Sequence, residues 1–272
     1  MYHFFVEQEQ IGEGVIAVTG PDVNHIKNVL RMKPGERVLI SAKAGGDYLC
    51  VTKELAQDKF LFGILEKSES EMELPARIHL FQGLPKGDKM ELIIQKAVEL
   101  GAFRIIPVET KRVVVKLDSK KEEARIKRWN AISESAAKQS KRSIIPEVTG
   151  VVKYKDALQM AEDFGLKMIP YECAKGMEET RRLLQTAEAG MDIAIFIGPE
   201  GGFEEEEIRQ AGERGVSPVS LGRRILRTET AGLCVLSALM ISLDRSTSIK
   251  QKEEEKWKLI LIIRLLRRFL TA

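Results

Sequence analysis

The sequence predicts an α/β chain in two parts: a small unit of short strands, then a mostly parallel sheet with helices on both faces. Two rhythms carry that prediction. Up to residue 73, short apolar runs alternate with turns, and only one helix fits among them. From residue 76, strand-length and helix-length segments alternate, the pattern of a parallel sheet. Composition agrees, since 44% apolar and 31% charged residues over 272 positions suit a folded chain with a sizeable core.

The elements follow in order. "HFFVE" and "GVIAV" read as the first two strands, and "PDVNHIKNVL" as a short helix with Pro21 in its first turn. "ERVLISAKAGGDYLCVTKEL" reads as a hairpin turning at Gly45 and Gly46, and "KFLFGILEKS" as the last strand of a small barrel. "SESEMELP" (68–75) is acidic, ends in Pro75 and reads as a linker. Beyond it, strands are expected at 77–83, 104–109, 166–171, 193–197 and 218–221. Helices are expected at 88–100, 122–140, 155–163, 177–188, 204–214 and 229–243, with Gly101 at the C-terminal cap of the first. Ligands of parallel sheets bind beyond the strand C-terminal ends. That singles out three loops: "GLPKGD" (83–88), "GPEGGF" (198–203) and "LGRRILRTET" (221–230).

Charge is unevenly spread. Residues 1–73 carry 8 Lys/Arg and 12 Asp/Glu, whereas 104–142 carry 12 and 5, against a whole-chain net charge of +3. A local basic surface of this kind attracts nucleic acid, or is simply a solvated helix face. Cys50, Cys173 and Cys234 form no CxxC pair, and His3, His25 and His79 do not cluster, so neither a disulfide framework nor a metal site is expected. No signal peptide is visible, and a cytoplasmic protein without a membrane span is expected. The apolar run "WKLILIIRLLRRFL" (257–270) is broken by arginines and shorter than the roughly 20 residues a span needs.

Dinucleotide, P-loop and hydrolase motifs are missing. "IAIFIGPEGGFEEEEI" (193–208) has the strand–glycine loop–helix form of a phosphate site, but Glu204, Glu205, Glu206 and Glu207 open the helix and would repel phosphate. Those glutamates also suit a helix N-terminus, and the glycines suit a tight turn that binds nothing. A ligand held here by backbone contact would be flat, free of phosphate and compatible with acidic surroundings. S-adenosylmethionine, with an adenine and a sulfonium, meets those conditions. In "LGRRILRTETAGLCVLSALM" (221–240), Arg223, Arg224 and Arg227 crowd beside a ligand loop, as an RNA backbone would require, or else pair with nearby glutamates. Thr228 or Thr230 can cap the helix that follows.

"FIGPEGGF" followed by "LGRRILRTETA" resembles the paired signature of the RsmE family, the 16S ribosomal RNA uracil-N3 methyltransferases. "NHIKNVLRMKPGE" (24–36), "GLPKGDKMELIIQKAVELG" (83–101) and "KQSKRSIIPEV" (138–148) agree, so the resemblance spans about residues 1–243. It implies a PUA-like β-barrel RNA-binding domain at 1–73 and a SPOUT-type α/β domain with a deep trefoil knot at 74–245, an exception to the rarity of knots. It further implies S-adenosylmethionine held by Ile197, Gly198, Pro199, Gly201, Gly202, Leu221, Gly222, Ile225, Leu226 and Thr228. The substrate would be one uridine of 16S rRNA in the 30S subunit, met by a homodimer, with Arg31, Lys86, Lys141 and Arg142 on the RNA.

Uracil N3 must lose its proton before it attacks a methyl group. Glu229 or Glu200 is the expected base, and Arg227 the stabiliser of the uracil oxyanion. No metal is required. Two alternatives remain: a SPOUT methyltransferase acting elsewhere, such as a tRNA ribose 2′-OH, and a non-catalytic RNA-binding protein. Residues 246–272 depart from the family and read as an added amphipathic helix or an appended extension.

Overall fold

A computed structural model describes residues 1–43, 45–55, 58–68, 72–114, 119–174 and 176–244; the 246–272 tail lies outside the described residues. The N-terminal part is a five-stranded sheet. Its strands are β1 (Tyr2–Val6), β2 (Val15–Thr19), β3 (Arg37–Ala42), β4 (Asp47–Leu55) and β5 (Lys59–Ser68). They run in the order β1-β3-β4-β5-β2, with β1 parallel to β3 and the rest antiparallel. Alternate side chains of both edge strands, Phe4 and Val6 from β1 and Ile16 and Val18 from β2, enter one core with Ile40 and Phe62, so the sheet curls around it. The predicted helix is a short turn, α1 (Pro21–Asn24), continued by a π-helical segment His25–Leu30 that ends at Arg31 with φ of 50°.

The second part is built on seven strands: β6 (Arg77–Gly83), β7 (Ala102–Glu109), β8 (Glu147–Val148), β9 (Val152–Lys153), β10 (Leu166–Pro170), β11 (Asp192–Ile197) and β12 (Ser217–Val219). Their order is β12-β10-β11-β6-β7-β8, with β9 also on β7, and every pairing is parallel. The helices are α2 (Lys89–Glu99), α3 (Ser119–Ser140), α4 (Tyr154–Met160), α5 (Glu178–Gln185), α6 (Glu205–Glu213) and a last helix, α7, at 228–244. Strand side chains alternate between two cores, as the pleat demands. Ile78, Leu80, Ile193 and Ile195 face Ile93, Trp129, Leu236 and Leu239 of α2, α3 and α7. Phe81, Ala194 and Phe196 face Tyr154, Leu158 and Ala211 of α4 and α6.

The two parts are pinned by apolar and polar contacts. Phe5 of β1 enters the larger core. Lys138 Nζ lies 3.1 Å from Asp22 Oδ1. Asp47 accepts from Ser41 Oγ at 2.5 Å and from Ser143 Oγ, and Ser41 Oγ meets His3 Nε2 at 2.8 Å. The expected linker is held as well. Glu73 pairs with Arg142, and Leu74 packs so tightly on Gly101 that a Cβ there would sit 2.5 Å from Leu74 Cδ1.

Arg142 is therefore a correction to the sequence reading. It is buried, with Nε 3.2 Å from Glu73 and Nη1 donating to the carbonyl oxygens of Val98 and Ala102 at 3.1 and 2.5 Å. A guanidinium spent in this way closes the seam instead of meeting a phosphate. Its neighbour Lys141, left-handed at φ of 59° and exposed, ends α3, and the Arg142 N–H returns to the Ala137 carbonyl at 3.0 Å in a Schellman turn.

Candidate active site

Because all strands of the large sheet are parallel, the loops after β6, β10, β11 and β12 gather at one end. The loop after β11 turns through Pro199 and Gly202, whose N–H donates to the Pro199 carbonyl at 2.9 Å. Gly202 has φ of 66°, a conformation L side chains rarely adopt, and an added Cβ would meet nothing within 4 Å. This loop packs directly on the end of β6, where a Cβ on Gly83 would fall 2.7 Å from Pro199 Cδ. After β12, residues 221–226 make no backbone–backbone hydrogen bond among the described residues, and apart from the Gly222 N–H, which meets Ser220 Oγ at 3.3 Å, their N–H and C=O groups are available to a ligand.

Between these loops lies a cavity of about 490 Å³. Ile197, Leu221, Leu226 and Ala231 supply apolar wall, Lys89 and Glu172 supply charge, and Arg223, Arg224 and Arg227 stand along it. A hydrogen-bond relay fixes the floor. Gln82 Nε2 donates to Thr228 Oγ1 at 2.9 Å, and Thr228 Oγ1 donates to the Gly198 carbonyl at 2.6 Å. The Thr228 hydroxyl thus spans two loops, where the sequence suggested a helix cap. Arg112 straps the loop from outside, with Nη1 2.7 Å from the Gly201 carbonyl oxygen.

The acidic run is explained by α6. Glu204 is its N-cap, and Glu207, buried at the third helical position, accepts from the Glu204 N–H at 2.9 Å and the Lys111 N–H at 3.0 Å. Two other carboxylates meet at Lys89, a residue of the cavity wall. Glu200 accepts from Lys89 Nζ at 2.7 Å and from the Lys86 N–H at 3.1 Å. Burial pushes the Glu200 carboxyl up, but the Lys89 ammonium and backbone N–H groups outweigh it and hold the group below its usual range. Glu229 Oε2 is buried with no hydrogen-bond partner among the described residues, 3.9 Å from Lys89 Nζ. Among the described residues no cluster of His, Cys, Asp and Glu could hold a metal, and no helix is long and apolar enough to cross a membrane.

Comparison with known proteins identifies this arrangement. The family described as RNA methyltransferase domain matches residues 72–240, and that described as RNA methyltransferase PUA domain matches residues 18–66. The Ribosomal RNA small subunit methyltransferase E of Bacillus subtilis is 38% identical over 245 residues, 88% of this chain and 96% of that one. The chain belongs to the RsmE family of RNA methyltransferases. An RsmE of Neisseria gonorrhoeae, solved bound to S-adenosyl methionine, is 32% identical with a TM-score of 0.75 over 89% of this chain and 97% of its own. A putative methyltransferase of Legionella pneumophila, solved with the same cofactor, is 31% identical with a TM-score of 0.77 over 89% and 97%. The α/β fold with a small PUA-like sheet is thus the fold of RsmE-family enzymes.

Within this RsmE-family chain, the expected cofactor residues Ile197, Gly198, Pro199, Gly201, Gly202, Leu221, Gly222, Ile225, Leu226 and Thr228 all border the one cavity, although the Ile225 side chain is 83% exposed. Arg227 borders it too and has no ion-pair partner among the described residues, whereas Glu200 is committed to Lys89. Arg31, Lys86 and Lys141 are exposed. Sequence reasoning missed Lys89, Arg112 and Gln82. Lys89 lies inside the quoted "GLPKGDKMEL" stretch; nothing in the local sequence marks Arg112 or Gln82.

Proposed function

We propose that this chain transfers the methyl group of S-adenosylmethionine to N3 of one uridine in 16S rRNA of the 30S subunit. The observation that carries the reading is the cavity between 198–203 and 221–228, in a chain 38% identical to a named small-subunit rRNA methyltransferase. The residues suit the cofactor: apolar wall for a flat ring, unpaired loop backbone for its polar edge, carboxylates that tolerate a cation, and no phosphate cradle. When bound, S-adenosylmethionine supplies an electrophilic methyl on a sulfonium.

The protein has then to hold an unpaired uracil in line and take its N3 proton. Glu229 is the base, because its Oε2 makes no hydrogen bond among the described residues, whereas the Glu200 oxygens are taken up by Lys89 Nζ and the Lys86 N–H. Arg227 meets a uracil carbonyl oxygen as charge develops there. Exposed Arg31, Lys86 and Lys141, with Arg223 and Arg224, contact RNA phosphates. The units are a PUA-like domain at 1–73, a SPOUT domain at 74–245 and an atypical tail at 246–272, and the return of the chain from edge strand β12 to α7 beside β6 and β11 supports a trefoil knot. Exposed Ile225, Leu92 and Ile241 suit a homodimer, and a ribosomal substrate supports a cytoplasmic location. Transfer of labelled methyl from S-adenosylmethionine into the 16S rRNA of purified 30S subunits tests the reading; label confined to tRNA, or absent, refutes it.

A further inference from the structure

Lys89 is the first residue of α2 and borders the cavity, with its side chain 34% exposed. Its ammonium is gripped from two sides by carboxylates more than a hundred positions away in sequence, Glu200 at 2.7 Å and Glu229 at 3.9 Å. An exposed surface ion pair contributes little and has no reason to sit in a ligand wall. Here one glycine loop and one helix start each send a carboxylate to the same cation, and an ammonium has three donors, of which Glu200 takes one. The other charged groups at the cavity are Glu172, Arg223, Arg224 and Arg227, and Asp88 precedes Lys89 on its own turn.

We propose that Lys89 is a further catalytic residue, whose ammonium, set between Glu200 and Glu229, receives the negative charge that the target uracil develops as N3 loses its proton. The proposal rests on the uracil-N3 reading above. An imide nitrogen is flanked by two carbonyl groups, so one cation leaves half of the delocalised charge unmatched. Arg227 meets one carbonyl oxygen and Lys89 the other. The proton passes from N3 to the Glu229 carboxylate, and the electron pair left on the imide is shared with the carbonyl oxygens. N3 then bonds to the methyl carbon, and the carbon–sulfur pair leaves with sulfur, which becomes a neutral thioether. Glu200, kept ionised, orients the ammonium without competing for the proton.

The test compares Lys89→Met, Lys89→Gln and Lys89→Arg in single-turnover methylation of 30S particles reconstituted with uridine or with 5-fluorouridine, whose imide proton is more acidic. Thermal melting checks folding, and calorimetric titration with S-adenosylmethionine checks the cofactor site. Loss of one oriented oxyanion donor predicts a fall of about 100-fold on uridine for the uncharged variants, less than about 10-fold on 5-fluorouridine, and a largely retained rate for Lys89→Arg. Cofactor affinity stays within about threefold, since the role lies with the uracil. Equal losses on both substrates, or loss of cofactor binding in a folded variant, overturn the proposal and make Lys89 structural. If the wild type yields no N3-methyluridine, the functional reading fails; if it does and Lys89→Met matches it, only the role of Lys89 fails.

Discussion

The Thr228 hydroxyl donates to the Gly198 carbonyl oxygen at 2.6 Å, joining the first turn of α7 to the glycine loop thirty residues earlier. Gln82 Nε2 completes the link from β6 at 2.9 Å. Thr228→Val keeps the shape and removes the oxygen, leaving the half-buried Gly198 carbonyl without its donor and one Gln82 amide N–H without an acceptor, the other staying with the Gly83 carbonyl at 2.9 Å, a cost of about 1–3 kcal/mol. The two loops then lose their fixed spacing. S-adenosylmethionine affinity is expected to fall about 10-fold or more by calorimetric titration, and Thr228→Ser to remain near wild type.

Gly201 and Gly202 should fail for different reasons. Gly202→Val forces a β-branched residue to φ of 66°, whereas a Cβ on Gly201 would press on the Arg112 side chain at 3.2 Å. Both substitutions weaken cofactor binding in the titration. Adding Arg112→Gly, which removes the Cβ that lies 3.2 Å away, restores affinity to the Gly201 variant and leaves the Gly202 variant as weak as before.

Lys141 and Arg142 are adjacent and opposite in role. Arg142→Ala strands Glu73 without its buried partner, and a loss of about 3–5 kcal/mol is expected in urea unfolding. Lys141→Ala leaves the unfolding midpoint unchanged and flattens the salt dependence of RNA binding by about one phosphate contact. An unaltered salt slope removes Lys141 from the RNA surface.

His3 gives the seam a pH signature. Burial holds it at about 4, against 6.5 in the unfolded chain, outweighing the attraction of Asp47. Above 6.5 both states are neutral and the group contributes nothing. Between 6.5 and 4 the unfolded chain takes a proton that the native protein refuses, so stability falls as pH falls, and below 4 the loss is complete. The full effect is on the order of 3 kcal/mol. Burial lowers His79 in the same direction. Denaturant midpoints taken across this window should fall less steeply for His3→Gln than for wild type; equal slopes contradict the argument.

The periodic elements were legible in the sequence because their signal is local. The expected strand at 77–83 coincides with β6 Arg77–Gly83, and the expected helix at 204–214 is α6 Glu205–Glu213 with its cap at Glu204. β8 and β9, two residues each, carry too little alternation to be seen. The turn His25–Leu30 is π-helical, a distinction that apolar spacing does not encode. The resemblance puts Arg142 on the RNA, whereas the residue that buries it, Glu73, lies 69 positions away and leaves no local signal. The pairing of Lys89 with Glu200 and the bridge from Thr228 to Gly198 were obscured in the same way. Each takes its role from a partner on another loop, and residue type alone does not specify the pairing.

Mass analysis of 16S rRNA nucleosides, from cells with and without this gene, tests the central claim most directly. The account predicts N3-methyluridine at a single position, lost with the gene and restored by the wild-type protein. An unchanged content of N3-methyluridine, or a missing ribose 2′-O-methyl group in its place, would contradict it.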